Sequence, residues 1–330
     1  MTILVTGGAG YIGSHMVHAL RDAGERVVVV DNLITGFKNA VPEGVALAIG
    51  NIGDEIFIER LVAEQNVEAI VHFAASSVVP ESIRDPLMYY KNNTSASRSL
   101  IEGAIKGGVK KFIFSSTAAV YGNPEQSIPL SEDAPKKPIS PYGTSKLMTE
   151  MLLADVGQAY EFKYAALRYF NVAGADPSGR VGQSTRNATH LIKSAVQAAL
   201  GYRSRIEVYG TDYATADGTC VRDYIHVSDL VDAHASVLKY LRDGGENLTI
   251  NCGYGRGYSV LEVIDSVKRV SGRNFEVAFA DRRPGDPESI VADVRKAHSM
   301  ITWKPSYDNL DTIVEHALAW EIRMATSHFC

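Results

Sequence analysis

Tyr142 and Lys146 are the residues of this chain whose types and spacing most directly suggest chemistry. They stand four positions apart in the segment Ser140-Pro-Tyr-Gly-Thr-Ser-Lys146. Positions i and i+4 of a helix share one face, so a helix here would place the Lys ammonium beside the Tyr phenol. A nearby positive charge favours the ionised phenol, and such a Tyr can exchange a proton with an alcohol near neutral pH. We therefore expect this pair to act on a hydroxyl group.

The pair is weak evidence when it is taken alone. A chain with 16 Tyr residues contains about one Tyr-x-x-x-Lys by chance, so such a match needs structural context. The alternative interpretation is an amphipathic helix that carries a solvated Lys.

A Gly-rich segment near the start of the chain favours the chemical interpretation. Thr6-Gly-Gly-Ala-Gly-Tyr-Ile-Gly13 follows an apolar run and opens a helical pattern. Glycines at positions 7, 10 and 13 allow a tight turn, close approach to a pyrophosphate and packing of the helix on the sheet. The phosphates would lie at the positive end of that helix. The segment therefore predicts a dinucleotide site.

Asp31 indicates which dinucleotide binds. It ends the second apolar run, at about the ~20-residue spacing where an acidic side chain binds a ribose diol. A carboxylate repels a 2′-phosphate, and Asn32 and Leu33 follow Asp31 instead of an Arg. We therefore expect NAD rather than NADP. The competing interpretation of Asp31 is a turn residue that ends a strand.

The elements that must position these residues alternate between strand and helix. The apolar runs are continuous, which is typical of parallel strands covered on both faces. The pattern predicts strands at 3–6, 27–30, 46–49, 69–72, 112–114 and 165–167, and helices at 11–23, 55–65, 87–105 and 142–160. This order predicts an α/β fold, a Rossmann-type doubly wound parallel sheet.

A change in amino-acid composition after Asn171 indicates a second, smaller domain. A polar, Gly-rich stretch follows at 174–182, and then a helix is predicted from about Ala188 to Leu200. We assign residues 1–172 to an NAD-binding domain, to which residues 224–252 return. Residues 173–223 and 253–330 would form a smaller α/β domain that binds the substrate.

Composition excludes several classes of protein. The 330 residues carry a formal net charge of −5 without a long basic run, so nothing indicates binding to nucleic acid or to a membrane surface. Three widely spaced cysteines, Cys220, Cys252 and Cys330, argue against a disulfide framework or a zinc site and favour a cytoplasmic location. No histidine pattern has metal-ligand spacing, so we expect no metal. The first apolar run is too short for a membrane span.

Motifs along the whole chain resemble one family. The glycine loop, Tyr142 and Lys146 resemble the extended short-chain dehydrogenases/reductases, and further segments resemble the UDP-glucose 4-epimerases among them. Those segments are Asp31-Asn-Leu, His72-Phe-Ala-Ala, Tyr89-Tyr-Lys-Asn-Asn93, Phe114-Ser-Ser-Thr-Ala-Ala-Val-Tyr-Gly122, Leu167-Arg-Tyr-Phe-Asn171, Asp217-Gly-Thr-Cys-Val-Arg-Asp-Tyr-Ile-His-Val227 and Arg282-Arg-Pro-Gly-Asp286.

The resemblance implies inversion of the C4 hydroxyl of a UDP-hexose through a transient 4-keto sugar and bound NADH. Tyr142 would be the base, Lys146 would hold the nicotinamide ribose, and the Thr117 hydroxyl would bind O4. The implied cofactor residues are Gly7, Gly10, Tyr11, Ile12, Gly13, Asp31, Asn32, Asn51, Ile52, Phe73, Ala74, Ala75, Asn92, Ser115, Tyr142, Lys146 and Phe170. The implied substrate residues are Thr117, Tyr142, Asn171, His190, Leu191, Tyr209, Arg222, Arg283, Asp286 and Ile290. The resemblance also implies a homodimer, the usual oligomeric state of the family.

The chain departs from the family's best known bacterial pattern at several positions. Thr117 replaces a Ser but keeps the hydroxyl, Asn51 replaces an Asp expected at adenine, and Ser77 replaces a Lys expected near the cofactor. Ile290 stands where a large or a small residue controls the room at the sugar's C2 substituent. The preferred UDP-sugar, an N-acetylhexosamine or a pentose included, is therefore left open.

Two other functions occur on the same fold. Nucleotide-sugar 4,6-dehydratases and decarboxylases share the Tyr and Lys but place a carboxylate directly after the hydroxyl residue. Ala118 and Ala119 stand there, and methyl groups cannot act as general acid or base. A regulator that retains the fold without chemistry is the other rival. It is disfavoured because Thr117, Tyr142 and Lys146 are all present.

Overall fold

A seven-stranded parallel sheet forms the centre of the computed structural model, which describes residues 1–124, 129–185, 189–283 and 286–326. The strands, numbered along the chain, are β1 Thr2–Thr6, β2 Arg26–Asp31, β3 Ala46–Ile49, β4 Val67–His72, β5 Lys111–Ser115, β6 Lys163–Tyr169, β7 Asn171–Ala173, β8 Arg205–Tyr209, β9 Val221–His226, β10 Leu248–Cys252, β11 Gly257–Ser259, β12 Glu276–Ala280 and β13 Ser289–Ile290.

The helices alternate with the strands along the first half of the chain. They are α1 Tyr11–Asp22, α2 Glu55–Glu64, α3 Val79–Arg84, α4 Pro86–Tyr89, α5 Ala96–Lys106, α6 Pro141–Ala159, α7 Leu191–Ala199, α8 Val227–Arg242, α9 Val260–Ser271, α10 Arg295–Met300 and α11 Leu310–Thr326. A π-helical segment, Tyr90–Ser95, joins α4 to α5, and short 3₁₀ turns form at Lys38–Ala40 and Ala118–Val120.

The strand order of the main sheet is β10-β6-β5-β4-β1-β2-β3. The chain runs outward from β1 in both directions, so the order reverses between β1 and β4. In doubly wound sheets, ligands bind beyond the carboxyl ends of the strands at such a reversal. The predicted Rossmann-type fold is therefore confirmed, and the glycine loop lies at the expected crevice.

Alternate residues of each inner strand enter opposite layers of the core. In β1, Ile3 and Val5 belong to the apolar cluster that includes α1 and α8, whereas Leu4 belongs to the cluster under α2 and α5. Continuous hydrophobicity is thereby explained for the inner strands. The prediction that both faces are covered is wrong for β3, where Ile49 is 63% exposed, because β3 is the edge strand.

The helix that carries Tyr142 and Lys146 begins where its sequence requires. Ser140 is the N-cap, and its Oγ accepts a hydrogen bond from the Gly143 backbone N at 3.2 Å. Pro141 occupies the first helical turn, where its missing N–H costs nothing. The predicted helix at 142–160 is observed as α6.

A second region packs against the carboxyl end of the main sheet. Strands β11, β9 and β13 pair in that order and β7 also pairs with β9, while β8 and β12 form a separate two-stranded sheet. An apolar cluster joins α7, α9 and α11 to these strands. The helix predicted from about 188 begins at Leu191, and position 188 lies outside the described residues.

The segment expected to return to the first domain divides at β9. Residues 224–226 end β9 in the second region, whereas α8 contributes Leu230 and Val237 to the core beside α1, and β10 pairs with β6 in the main sheet. The domain boundaries at 172, 223 and 252 stay predictions.

The described residues contain buried thiols and no membrane-spanning helix. Cys220 and Cys252 are buried free thiols, and Cys330 lies outside the described residues. Among the helices of the described residues, none is long and apolar enough to cross a membrane.

Candidate active site

The glycine loop is packed too closely for side chains at two positions. Gly7 has φ of 70°, and a Cβ there would lie 2.7 Å from the backbone N of Ala74, which follows β4. A Cβ on Gly13 would lie 2.1 Å from the Gly7 carbonyl oxygen. Gly10 is the N-cap of α1 and has no side chain to bond the helix's first amides. These amides are suited to bind a phosphate.

The first turn of α1 links the loop to the second region. Tyr11 OH donates a hydrogen bond to the Gly174 carbonyl oxygen at 2.7 Å, and burial raises the pKa of this phenol. Ile12 follows it and packs on the core.

The Asp31 carboxylate joins the end of β2 to the glycine loop. Its Oδ2 accepts from the Ala9 backbone N at 3.0 Å, and its Oδ1 accepts from the Leu33 backbone N at 2.8 Å. The side chain is buried. Each carboxylate oxygen can accept a further hydrogen bond, so Asp31 can still bind a ribose diol. Asn32 is exposed and its Oδ1 accepts from the Ile34 backbone N at 3.1 Å.

The remaining cofactor-side residues follow β3 and β4. Asn51 is exposed, and its amide oxygen already accepts from the Gly53 backbone N at 2.8 Å, whereas Ile52 is buried. Phe73 donates its backbone N–H to Thr6 at 3.0 Å, and its ring lies 4.9 Å from that of His234. Ala74 and Ala75 are half-buried, and Ser77 is exposed.

Asn93 ends the Tyr89–Asn93 motif, of which only Asn92 was predicted as a cofactor residue. Asn92 donates to Ser76 Oγ at 3.2 Å, but its neighbour Asn93 is the buried one. Asn93 accepts from the Ser76 backbone N at 2.8 Å and donates to the Ser76 carbonyl and to Ser145 Oγ, both at 3.0 Å. It therefore ties the loop after β4 to α6. The consecutive Asn residues were the available signal, and only burial distinguishes them.

Lys146 is almost completely buried. Its Nζ donates to the Ser115 carbonyl oxygen at 2.8 Å and lies 4.6 Å from the centre of the Phe114 ring. Burial lowers the pKa of Lys146 to about 7, and the charge of Glu150 opposes that shift. Ser115 Oγ donates to Tyr169 OH at 3.0 Å.

Tyr142 is buried one turn before Lys146 and hydrogen bonds with Thr117. The Tyr89 ring lies edge-on to it at 6.5 Å. Burial raises the pKa of Tyr142, and the bond with Thr117 lowers it. The expectation that the Lys146 ammonium lowers the pKa of this phenol is therefore wrong, because burial is the larger effect and the ammonium donates to the Ser115 carbonyl oxygen instead.

Thr117 caps the 3₁₀ turn that follows it. Its Oγ1 accepts from the Ala119 backbone N at 3.1 Å. Ala118 packs with Phe170 and Ile290 in a small apolar cluster. The positions where dehydratases would need a carboxylate are thus filled by methyl groups.

On the substrate side, Asn171, His190 and Leu191 line one small cavity of about 40 Å³ together with Tyr224. The Asn171 side chain hydrogen bonds with Tyr224. His190 is the N-cap of α7, its Nδ1 lies 2.8 Å from Gln183 Nε2, and burial lowers the pKa of the ring.

The charged residues predicted to hold the diphosphate fall into two groups. Arg222 forms an ion pair with Asp286, and the Arg283 guanidinium lies 3.8 Å from the centre of the Tyr209 ring. Ile290 pairs with Arg222 through the backbone of β13 and β9. Their binding roles stay predictions. In the parts of the chain that the structure describes, no group of His, Cys, Asp or Glu could hold a metal ion.

The fold and this site define the class of protein. The family model for the NAD dependent epimerase/dehydratase family matches residues 3–253, and the chain belongs to that family.

Within this family, the chain is similar to UDP-glucose 4-epimerases. The chain is 55% identical to a UDP-glucose 4-epimerase of Azospirillum brasilense over 319 residues, which are 97% of this chain and 91% of the relative. The crystal structure of UDP-glucose 4-epimerase from Brucella ovis in complex with NAD matches with a TM-score of 0.93 and 43% identity, covering 96% of this chain and 97% of that one. The UDP-Glc/GlcNAc 4-epimerase of Campylobacter jejuni matches with a TM-score of 0.86 and 45% identity, covering 98% and 99%. The resemblance drawn from the sequence motifs is confirmed.

Proposed function

We propose that this protein catalyses the NAD-dependent 4-epimerisation of a UDP-hexose, interconverting UDP-glucose and UDP-galactose. The observation that carries the proposal is the buried set of Tyr142, its hydrogen-bonded Thr117 and Lys146. This set follows β5 at the same end of the sheet as the glycine loop. The relatives named above are epimerases of UDP-glucose.

The residues at the glycine loop fit NAD. Gly7 and Gly13 let the loop pack closely against the backbone after β4 and against α1, and the amides at the start of α1 suit the pyrophosphate. Asp31 would hold the adenine ribose, Asn51 and Ile52 the adenine, and Lys146 the nicotinamide ribose. When bound, the oxidised nicotinamide supplies a hydride acceptor and a positive charge.

Tyr142 is the proposed base that removes the proton of the C4 hydroxyl. Burial disfavours the phenolate, so the site needs compensating positive charge and a donor to the phenol oxygen. Thr117 supplies the hydrogen bond, and the bound nicotinamide, together with Lys146 one helical turn away, would supply the positive charge. Thr117 can also bind O4 of the sugar while the proton moves.

Inversion requires the sugar to turn while the UDP stays fixed. The Arg222 and Arg283 guanidinium groups would bind the diphosphate, and Asp286 the uridine ribose. Asn171, Tyr209 and the backbone of His190 and Leu191 would hold the rest of the nucleotide. The 4-keto sugar then rotates about its link to UDP. Tyr142 would return the proton to O4 while the reduced nicotinamide returns the hydride to the other face of C4, so no net redox change results.

Epimerisation of a UDP-N-acetylhexosamine is the second candidate. Ile290 is buried in the cluster with Ala118 and Phe170, so its side chain shapes an apolar wall. The Campylobacter jejuni protein, 45% identical, is a Glc/GlcNAc epimerase. A UDP-pentose is a third possible substrate of the same site. A 4,6-dehydratase is disfavoured because Ala118 and Ala119 offer no acid or base.

We further propose that the protein is a cytoplasmic homodimer. Its buried free thiols suit a reducing compartment. Large apolar side chains lie exposed on three helices that contact one another, α3, α4 and α6. A second copy would cover them.

A panel of UDP-sugars tests the function. The purified protein with NAD is incubated with UDP-galactose, UDP-N-acetylglucosamine and UDP-xylose, without added reductant, and products are followed by proton NMR. We expect UDP-galactose to reach equilibrium with UDP-glucose. Equilibration of only the N-acetylated sugar supports the second candidate, and a 4-keto-6-deoxy product contradicts epimerisation.

A further inference from the structure

Glu150 lies one turn beyond Lys146 on α6, in the interior of the protein. Its carboxylate is held by Arg168 of β6, with Nη2 at 2.6 Å from Oε2 and Nε at 3.0 Å from Oε1. Side chains of this pair are only 7% and 5% exposed. An ion pair of this kind costs desolvation, so its presence beside the site calls for a reason other than stability.

The same carboxylate accepts a hydrogen bond from Ser116 Oγ at 2.5 Å. Ser116 stands between two residues of the site. The carbonyl of Ser115 binds the Lys146 ammonium, and the next residue, Thr117, hydrogen bonds with Tyr142. Glu150 thus anchors the segment that presents both groups.

The Glu150 carboxylate also interacts electrostatically with Lys146. It is the charge that opposes the effect of burial on the pKa of Lys146. From β4, His72 also faces Lys146, but burial holds the pKa of His72 well below its usual range, so the ring stays neutral. Its two nitrogens lie 2.7 Å from Thr6 Oγ1 and 2.8 Å from Ser97 Oγ. From β5, the Phe114 ring packs against the Lys146 ammonium.

On its other side, Glu150 faces Arg168 and the phenol of Tyr164, whose pKa is raised by burial and by the Glu150 charge. Arg168 also donates to Tyr121 OH at 3.0 Å and to the Glu132 carbonyl oxygen at 3.1 Å. The guanidinium is therefore fixed from several directions. Glu150 is placed between two buried cations, Arg168 and Lys146.

We propose that Glu150 is a positioning residue for the epimerase reaction, which fixes the segment 115–117 through Ser116 and places its negative charge one helical turn from Lys146. This inference rests on the proposed function. It assigns a task to an ion pair that touches neither sugar nor cofactor.

The test compares the holoenzyme with Glu150→Gln across pH. Removing the carboxylate charge lowers the pKa of Lys146 further, so the ammonium is lost at lower pH. We expect the alkaline limb of the pH profile of kcat to move down by about one pH unit, since a nearby opposite charge shifts a pKa by about that much or more. At pH 8 kcat should fall about 10-fold or more, with KM changed less than about 3-fold.

Two matched variants separate charge from positioning. Ser116→Ala removes the hydrogen bond but retains the charge, so kcat should fall while the alkaline limb stays in place. Glu68→Gln weakens another ion pair of the main sheet, with Arg242, remote from α6, and should change neither. An unmoved limb together with unchanged kcat in well-folded Glu150→Gln overturns the proposal.

A double variant tests the same charge effect without leaving an unpaired buried Arg. Glu150→Gln leaves a buried Arg unpaired and can fail to fold, so the double variant with Arg168→Met removes both charges. Its limb should also move down, and an unmoved limb counts against the proposal.

The pKa of Lys146 is also read without turnover, by NMR of ¹³Cε-lysine in the holoenzyme, with Lys146→Arg to assign the signal. A wild type that does not epimerise defeats the proposed function alone. An unchanged pKa of Lys146 in both Glu150 variants defeats the inference.

Discussion

At the scale of single residues, burial governs the acid–base behaviour of Tyr142 and Lys146, because it raises the pKa of the phenol and lowers that of the amine. A shared helix face for Tyr142 and Lys146 followed from their separation, and both lie on α6. Their pKa values did not follow, because these depend on burial and on partners such as Thr117 and Ser115 that come from other elements. Glu150 was missed for the same reason, since a Glu on a helix is usually exposed.

Replacement of Tyr142 by Phe isolates its role in proton transfer. The ring fills the same space, so the fold and UDP binding should persist, while the base is lost. We expect kcat to fall about 10² to 10⁴-fold, the usual contribution of a positioned acid or base. Initial rates with UDP-galactose give kcat, and calorimetry with UDP gives the affinity. A matched loss of UDP affinity would contradict the assignment.

At the scale of elements, the apolar runs and helical patterns of the first 170 residues predicted the strands and helices α1, α2 and α6 there to within about two residues, the usual uncertainty of an element's end. Two features of this region depend on tertiary structure. The π-helical segment at Tyr90–Ser95 interrupts a stretch predicted as one helix, at the place where Asn93 reaches Ser76 and Ser145. The exposure of β3 depends on its place at the sheet edge, which is a property of topology.

The glycines of the first loop permit an experiment on an element junction. A Cβ at Gly13 would lie 2.1 Å from the Gly7 carbonyl oxygen, so Gly13→Ala must push α1 away from the loop. At Gly10 the nearest atom, the same oxygen, lies at 3.2 Å, and φ is −82°, which Ala tolerates. We expect Gly13→Ala to lower stability by about 2 kcal/mol or more, as overpacking does.

Gly10→Ala is the matched control for that substitution. Its stability should change by less than about 1 kcal/mol, but retention of NAD should fall because the methyl group enters the predicted phosphate space. Urea unfolding of the NAD-free protein measures the first effect, and the NAD content after gel filtration measures the second. Equal stability losses in the two variants would refute the packing argument.

At the scale of the whole molecule, contacts between distant segments complete the site. Leu130 pairs with Ala292, two residues after Ile290, and Asn251 of β10 accepts a hydrogen bond from Tyr121 OH at 2.6 Å and donates one to the Leu130 carbonyl oxygen at 2.7 Å. These contacts join the main sheet to the segment that follows β13, the strand of the predicted substrate residue Ile290. No local pattern encodes them, because they bring together segments that lie more than a hundred residues apart.

The exposed apolar faces of α3, α4 and α6 test the proposed dimer at this same scale. Leu87 is 78% exposed and Met151 60% exposed, on helices that contact one another. A Lys at both positions would bring charge into an interface that depends on apolar contact, and exposed surface tolerates such changes in the monomer. We therefore expect light scattering to give a dimer mass for the wild type and a monomer mass for Leu87→Lys/Met151→Lys, with unchanged circular dichroism. Ile322→Lys, at a 47% exposed position on α11, is the control and should remain dimeric. A wild type that is monomeric at micromolar concentration, or a double variant that remains dimeric, would exclude this face as the interface.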